Sequence, residues 1–247
     1  MVEEIRKVKQ WNRMGTDKLH RRLKPQMKIM AIKMGRHSLD RLLKQYGLQV
    51  PIRRRKAKTT NSNHCFKFYP NLILGLELLN PGLVWVADIT YLSLLDGFAY
   101  LFLITDLYSK KIIGYYLALN LKAESAIKAL QMALDQWIQV DGKRLIHHSD
   151  RGIQYGCPSY VEVLNNKPID ISMAQKGNPY ENPVAERVNG ILKNEMGLDD
   201  VFTSYEQAKE QTRITIEMYN QQREHKSIDR LTPQIAHQGS GKLIRRW

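Results

Sequence analysis

Three apolar runs in close succession, VWVADITYLSL (84–94), FAYLFLITDLY (98–108) and KKIIGYYLAL (110–119), constrain the fold of this chain more than any other feature. Each is rich in β-branched and aromatic residues. Asp96 and Gly97 break the chain after the first run, and Tyr108 and Ser109 after the second. Strand formers punctuated in this way predict an antiparallel meander. The pattern then changes period. Ala126, Leu130, Ala133, Leu134 and Trp137 form an apolar stripe that predicts a helix over 123–139, and Gly142 ends it. RLIHHSD reads as a short strand ending at Asp150, 158–166 as a helix, IDISM as a fifth strand, and 183–196 and 205–221 as two further helices. The chain is therefore expected to contain an α/β domain with a mixed five-stranded sheet and helices packed on it.

The charge is confined to the other end. Of the formal net charge of +14, residues 1–80 supply all of it, with 19 Lys and Arg against five acids, whereas residues 81–247 carry 19 of each sign. A basic module attached to a neutral one is expected when one part grips a polyanion and the other does different work. Thr16 before DKLHRRL reads as a helix N-cap, with Leu19 and Leu23 on one face and Pro25 ending or kinking the helix. A second helix is expected from Ser38, with Leu39, Leu42, Leu43 and Tyr46 on its apolar side and Gly47 as its stop. Arg36, Asp40, Arg41, Lys44 and Gln45 lie opposite. Two short helices joined around Met34, Gly35 and Arg36 suit a helix-turn-helix, with 38–46 entering the major groove and Arg36, Arg41 and Lys44 facing DNA. The run Arg53, Arg54, Arg55, Lys56 and Lys58 reads as an arm that neutralises phosphates, or as a solvated linker. The expected division is 1–58 for the basic helical region, 59–80 for a linker, 81–238 for the α/β domain and 239–247 for a short tail.

Two cysteines, Cys65 and Cys157, exclude a disulfide framework and a paired-cysteine zinc site. No apolar stretch approaches the ~18 residues of a membrane span, so a cytoplasmic protein with no membrane partner is expected.

Three carboxylates carry the expected chemistry. Asp88 lies mid-strand among apolar neighbours, where an uncompensated charge would be costly. Asp150 ends a strand before a Gly-containing turn. Glu186 follows Asn182 as N-cap and Pro183 at N1, and shares a helical face with Asn189, Gly190 and Lys193. Hard oxygen ligands of this kind suit magnesium, and two such ions can serve phosphodiester transfer. Asp88 is the candidate bridging ligand, Asp150 and Glu186 the ligands for one ion each, with Mn²⁺ as an expected substitute and Lys193 as a backbone contact for DNA. Asp106 competes for a role but reads as a hairpin residue. Glu181 and Glu195 flank Glu186 without sharing its face. His147 and His148 read first as structural, and His148 is the better accessory candidate because it stands nearer Asp150.

The segments WVADITYL, YLFLITDLYSKKIIGYYL, HHSDRGIQY, SMAQKGNPYENPVAERVNGILKNE and YNQQREHKSIDRLTP resemble the retroviral-integrase-like transposases of bacterial insertion sequences that encode their product in two overlapping frames, and the chain is similar to the second-frame product. The 35 residues between Asp150 and Glu186, and Lys193 seven beyond the Glu, match this DDE group. The resemblance implies a ribonuclease H-like core, and the order of strands and helices expected from the sequence agrees with it. It also implies magnesium-dependent cleavage at the element ends and joining of the freed 3′-hydroxyl to target DNA. It further implies a homo-multimer that synapses two DNA ends, an upstream-frame partner, and a loop of Lys176, Gly177, Asn178 and Asn182 that positions DNA. Glu181 stands where many relatives have Asp, and neither the zinc module nor the terminal β-barrel of retroviral integrases has a counterpart here. The alternative is a catalytically silent DNA-binding remnant or regulator of transposition, against which the three intact acids speak.

Overall fold

The computed structural model describes residues 1–50, 66–140, 142–175 and 182–243. The chain forms two compact units, Met1–Ala57 with Gly190–Asp199, and Lys58–Asn189 with Asp200–Trp247.

In the first unit, helices α1 (Val2–Lys7), α2 (Thr16–Ile29) and α3 (Arg36–Gln45) enclose a small core in which Trp11, Leu19, Leu23, Met27, Leu39 and Leu43 are buried. Three expectations are corrected. Gly15, not Thr16, precedes α2, and the Thr16 hydroxyl donates to Asp40 at 2.8 Å. Pro25 does not end the helix, because Leu19, Leu23 and Met27 recur every four residues and their burial holds the last turn in place against the missing hydrogen bond. Helix α3 begins two residues before Ser38, and of its apolar side only Leu39 and Leu43 are buried, while Leu42 and Tyr46 face outward. Gly47 stops it as expected. At φ 64° it lets the Leu48 N–H reach the Leu43 carbonyl (2.7 Å) and its own N–H the Lys44 carbonyl (3.2 Å).

The second unit is built on a sheet of order β3-β2-β1-β4-β5. Strands β1 (Val84–Leu94), β2 (Gly97–Asp106) and β3 (Ile112–Ala118) form the expected antiparallel meander, and β4 (Leu145–Ser149) and β5 (Ile169–Met173) add parallel on the other side of β1. One face of the sheet packs Trp85, Ala87, Phe102 and Ile104 against α4 (Ala123–Asp135) and α6 (Pro158–Asn165). Helix α4 stops at Asp135, short of the expected 139. Trp137 lies beyond it, edge-on to Trp85 with its indole N–H 3.3 Å from the Gly82 carbonyl. The short helix α5 (Ile153–Gly156), not expected from the sequence, follows Asp150.

Helix α7 (Pro183–Gly190) runs into a π-helical turn, Ile191–Glu195, and α8 (Tyr205–Gln222) lies along β3. The Asn220 amide both accepts from the Ile112 N–H and donates to its carbonyl (2.9 Å each), so it satisfies part of the sheet edge. Helix α9 (Pro233–Gln238) closes the described elements. Residues 66–80 also pack here: the Leu72 N–H donates to Ser172 and the Met173 N–H to the Pro70 carbonyl. Among the described residues no helix is long and apolar enough to cross a membrane.

Candidate active site

The parallel pairing of β1 with β4 runs from Val84 opposite Ile146 to Ala87 opposite Ser149. The next positions in that register are Asp88 and Asp150. Neighbouring strands lie about 4.8 Å apart, so the sheet itself sets the two aspartates side by side where the β1/β4 ladder ends. Both are half-buried.

Each carboxylate is held. Asp88 Oδ1 accepts the Ile89 N–H at 2.9 Å and Oδ2 the Asn189 amide at 2.7 Å. Asp150 Oδ1 accepts the Gly152 N–H at 2.9 Å, in a turn where a Cβ on Gly152 would stand 2.9 Å from the same oxygen and displace it. Beneath them lies Tyr155 on α5. Its phenol is driven well above its ordinary pKa by burial first, then by the neighbouring Tyr160 and by the charges of Asp150 and Asp88. One protonated phenol therefore lies within electrostatic reach of both aspartates.

Glu186 stands exposed one turn into α7, its N–H bonded to the Asn182 carbonyl at 3.2 Å. Three residues on, and so on the same side of the helix, Asn189 reaches Asp88. The side of α7 that carries Glu186 is thereby turned toward β1. Among the described residues, however, no three of His, Cys, Asp or Glu gather closely enough to enclose a metal ion. The β1/β4 register sets Asp88 beside Asp150, and Glu186 is not closed into a ready-made cage with them. Such a cage is not required for magnesium, which usually takes one or two carboxylates and completes its shell with water and substrate phosphate. The donor set fits that ion.

The competing residues have other work. Asp106 is fully buried; its oxygens take the Ser109 N–H (2.8 Å) and hydroxyl (2.7 Å), which lock the β2–β3 turn, and the Gly82 N–H (2.7 Å), which ties that turn to the entry of β1. Glu195 pairs with Lys18. His147 Nε2 and the Tyr160 hydroxyl are hydrogen-bonded at 2.9 Å, and the imidazole pKa is pushed down to about 3, chiefly by burial, which favours the neutral ring. His148 is fully buried with Nδ1 2.8 Å from the Ser172 hydroxyl. Asn182 is corrected. Its side-chain oxygen makes no cap bond to α7; the amide is buried and its Nδ2 donates to the Ala87 carbonyl at 3.1 Å. Lys193 is half-buried on the π-helical turn, where the chain leaves the 3.6-residue period on which its shared face with Glu186 was read. Arg36, Arg41 and Lys44 are exposed on α3. Arg53, Arg54, Arg55, Lys176, Gly177, Asn178 and Glu181 lie outside the described residues.

Asn189, Gly152 and Tyr155 were missed as site residues. The first had a signal, its three-residue spacing from Glu186. The other two follow Asp150 closely in sequence, but only the turn and α5 fold them back beneath it.

The integrase core domain family matches residues 79–179 and again 167–233. The chain is 37% identical over 215 residues to the insertion element IS600 31 kDa protein of Shigella sonnei, covering 86% of this chain and 78% of that one. It is 32% identical over 172 residues to a putative transposase for insertion element IS986/IS6110 of Mycobacterium tuberculosis, covering 67% of this chain but only 61% of that one, less than two thirds of its length. Among solved structures it is similar to the catalytic core of HTLV-2 integrase in complex with magnesium, at TM-score 0.51 and 19% identity over 65% of this chain and 99% of that one. The sheet order and this likeness give a ribonuclease H-like fold. With the integrase core matched over most of the second unit and the Shigella protein matched along most of both sequences, the chain belongs to the integrase-core transposase family of bacterial insertion sequences.

Proposed function

We propose that Asp88, Asp150 and Glu186 form a two-magnesium DDE centre that cuts DNA at the ends of an insertion sequence and joins the freed 3′-hydroxyl to target DNA. As a transposase of this family the chain acts by DNA strand cleavage and strand transfer, a polynucleotidyl transfer. The observation that carries the reading is the register match of Asp88 and Asp150 across β1 and β4. It supplies two adjacent hard-oxygen donors on rigid strands, and the Asn189 hydrogen bond turns the Glu186 side of α7 toward them.

Bound there, magnesium would polarise the phosphodiester, activate the attacking oxygen and stabilise the leaving one. The protein's own part is positional. Asp88 is fixed from both oxygens, Asp150 is fixed by its turn, and Tyr155 stays protonated and uncharged at the floor. Mn²⁺ is the expected substitute. The exposed Arg36, Arg41 and Lys44 on α3, with Lys193 and the basic run at 53–58, supply phosphate contacts. Double-stranded DNA ends and target are the substrates, in a synaptic homo-multimer with an upstream-frame product as partner.

Asp88→Asn, Asp150→Asn and Glu186→Gln should each abolish cleavage and joining of an end-bearing duplex while leaving its binding nearly intact. Near wild-type cleavage by any one of them would remove that acid from the centre. Loss of binding in all three would mean that they support the fold instead.

A further inference from the structure

The geometry points to Asn189 as a positioning residue for Asp88, acting by fixing the rotation of that carboxylate and so the lone pairs it offers a metal. The inference rests on the reading of Asp88 as a metal ligand. A carboxylate has about four acceptor sites. In Asp88 one on Oδ1 is taken by the Ile89 N–H at 2.9 Å and one on Oδ2 by Asn189 Nδ2 at 2.7 Å. The first bond comes from the strand's own backbone and is present whatever α7 does. The second crosses from another element and constrains the rotation of the carboxylate group.

The asparagine is oriented with little freedom. Turning its amide over would aim Oδ1 at the carboxylate, so Nδ2 faces Asp88 and Oδ1 is left buried without a hydrogen-bond partner. A side chain serving only to pack α7 on the sheet would do better as leucine, which has the same branched outline and no orphaned oxygen. Asn182 repeats the arrangement two turns earlier on the same side of the helix: Nδ2 donates to the Ala87 carbonyl at 3.1 Å and Oδ1 is again buried and unpartnered. Two amides seven residues apart thus hold α7 to consecutive residues of β1, and the second of them reaches the carboxylate. Partners of this kind, standing behind a metal ligand, typically change metal affinity or activity by roughly 10–100-fold when removed.

The test uses the full chain with Asn189→Leu and Asp88→Asn. Three quantities are read: the unfolding temperature in chelator, its rise as Mg²⁺ is titrated, and the Mg²⁺ concentration for half-maximal strand joining. Asn189→Leu should still unfold cooperatively in chelator, near the wild-type temperature, yet need at least about tenfold more Mg²⁺ in both titrations. Wild-type Mg²⁺ dependence in this variant would overturn the inference. Should the leucine variant fail to fold, Asn189→Asp, which keeps the shape and replaces the donor with an acceptor, is judged by the same titrations. Asp88→Asn should lose the Mg²⁺-induced stabilisation. If it kept that stabilisation, the reading of Asp88 as a ligand would fall, whatever Asn189 does.

Discussion

Adding one methyl group at Gly114 should nearly break the α/β unit. The glycine lies in β3 directly under α4. A Cβ built there would stand 2.2 Å from the Ala129 carbonyl oxygen, 3.0 Å from the Ala133 Cβ and 3.1 Å from the Ala133 nitrogen. The first of these is roughly 1 Å inside ordinary van der Waals separation, and two of the three atoms are helix backbone that no rotamer change can move. Helix α4 must therefore lift from the sheet, loosening Ala126, Ala129, Leu130 and Ala133, each 2% exposed or less. Overpacking of a filled core costs about 1–3 kcal/mol and occasionally more. The backbone clash puts Gly114→Ala near about 3 kcal/mol, or roughly 6–12 °C in unfolding temperature for a domain of this size. Gly190→Ala is the control. Its Cβ would meet only Asn194 Nδ2, at 3.9 Å, and in a helix the change should stabilise by up to about 1 kcal/mol. Thermal unfolding followed by circular dichroism reads both. A Gly114→Ala protein that unfolds within about 2 °C of wild type would refute the close packing of α4 on β3.

Two further predictions concern charge. His147 is held neutral in the folded chain, with its pKa depressed from 6.5 to about 3. The unfolded chain therefore binds the extra proton as pH falls through 6.5, and stability drops from there toward 3 by up to about 1.4 kcal/mol per unit. His147→Gln, whose amide can pair with the Tyr160 hydroxyl as donor or acceptor, should lose roughly 2 kcal/mol less than wild type between pH 7 and 5 in urea unfolding. Parallel losses would show that this histidine does not govern the acid limb. Replacing Arg36, Arg41 and Lys44 together by alanine should weaken binding to duplex DNA of any sequence and reduce the slope of log affinity against log salt by about 0.9 for each phosphate no longer neutralised. An unchanged slope would take α3 off the DNA. Point substitution is preferable to truncation, since Gly190–Asp199 belongs to the same compact unit as α3.

The meander and both parallel strands could be read from the sequence because each signal there is local: short apolar runs rich in β-branched residues, closed within the meander by Asp96-Gly97 and Tyr108-Ser109. What escaped depends on neighbours distant in the chain. Asn182 has the residue type and position of an N-cap, but the Ala87 carbonyl, where the β1/β4 pairing ends, takes its amide instead. Pro25 carries a breaker's signal that burial of Met27 overrides. The π-helical turn after Gly190 leaves no mark in the apolar spacing. The three acids stood out by their settings, yet the feature that sets two of them side by side, a constant register between β1 and β4, exists only once those strands are known to pair.

The most direct test is magnesium-dependent joining of a labelled duplex bearing the element's own end to target DNA, with wild type beside Glu186→Gln and the upstream-frame product present. Glu186 is the decisive acid because it shares a side of α7 with Asn189, which reaches Asp88, while no three His, Cys, Asp or Glu among the described residues close around an ion. Joined product from wild type in magnesium, with none in chelator and none from the glutamine variant, is the predicted result. Equal product from both proteins would contradict the three-acid centre.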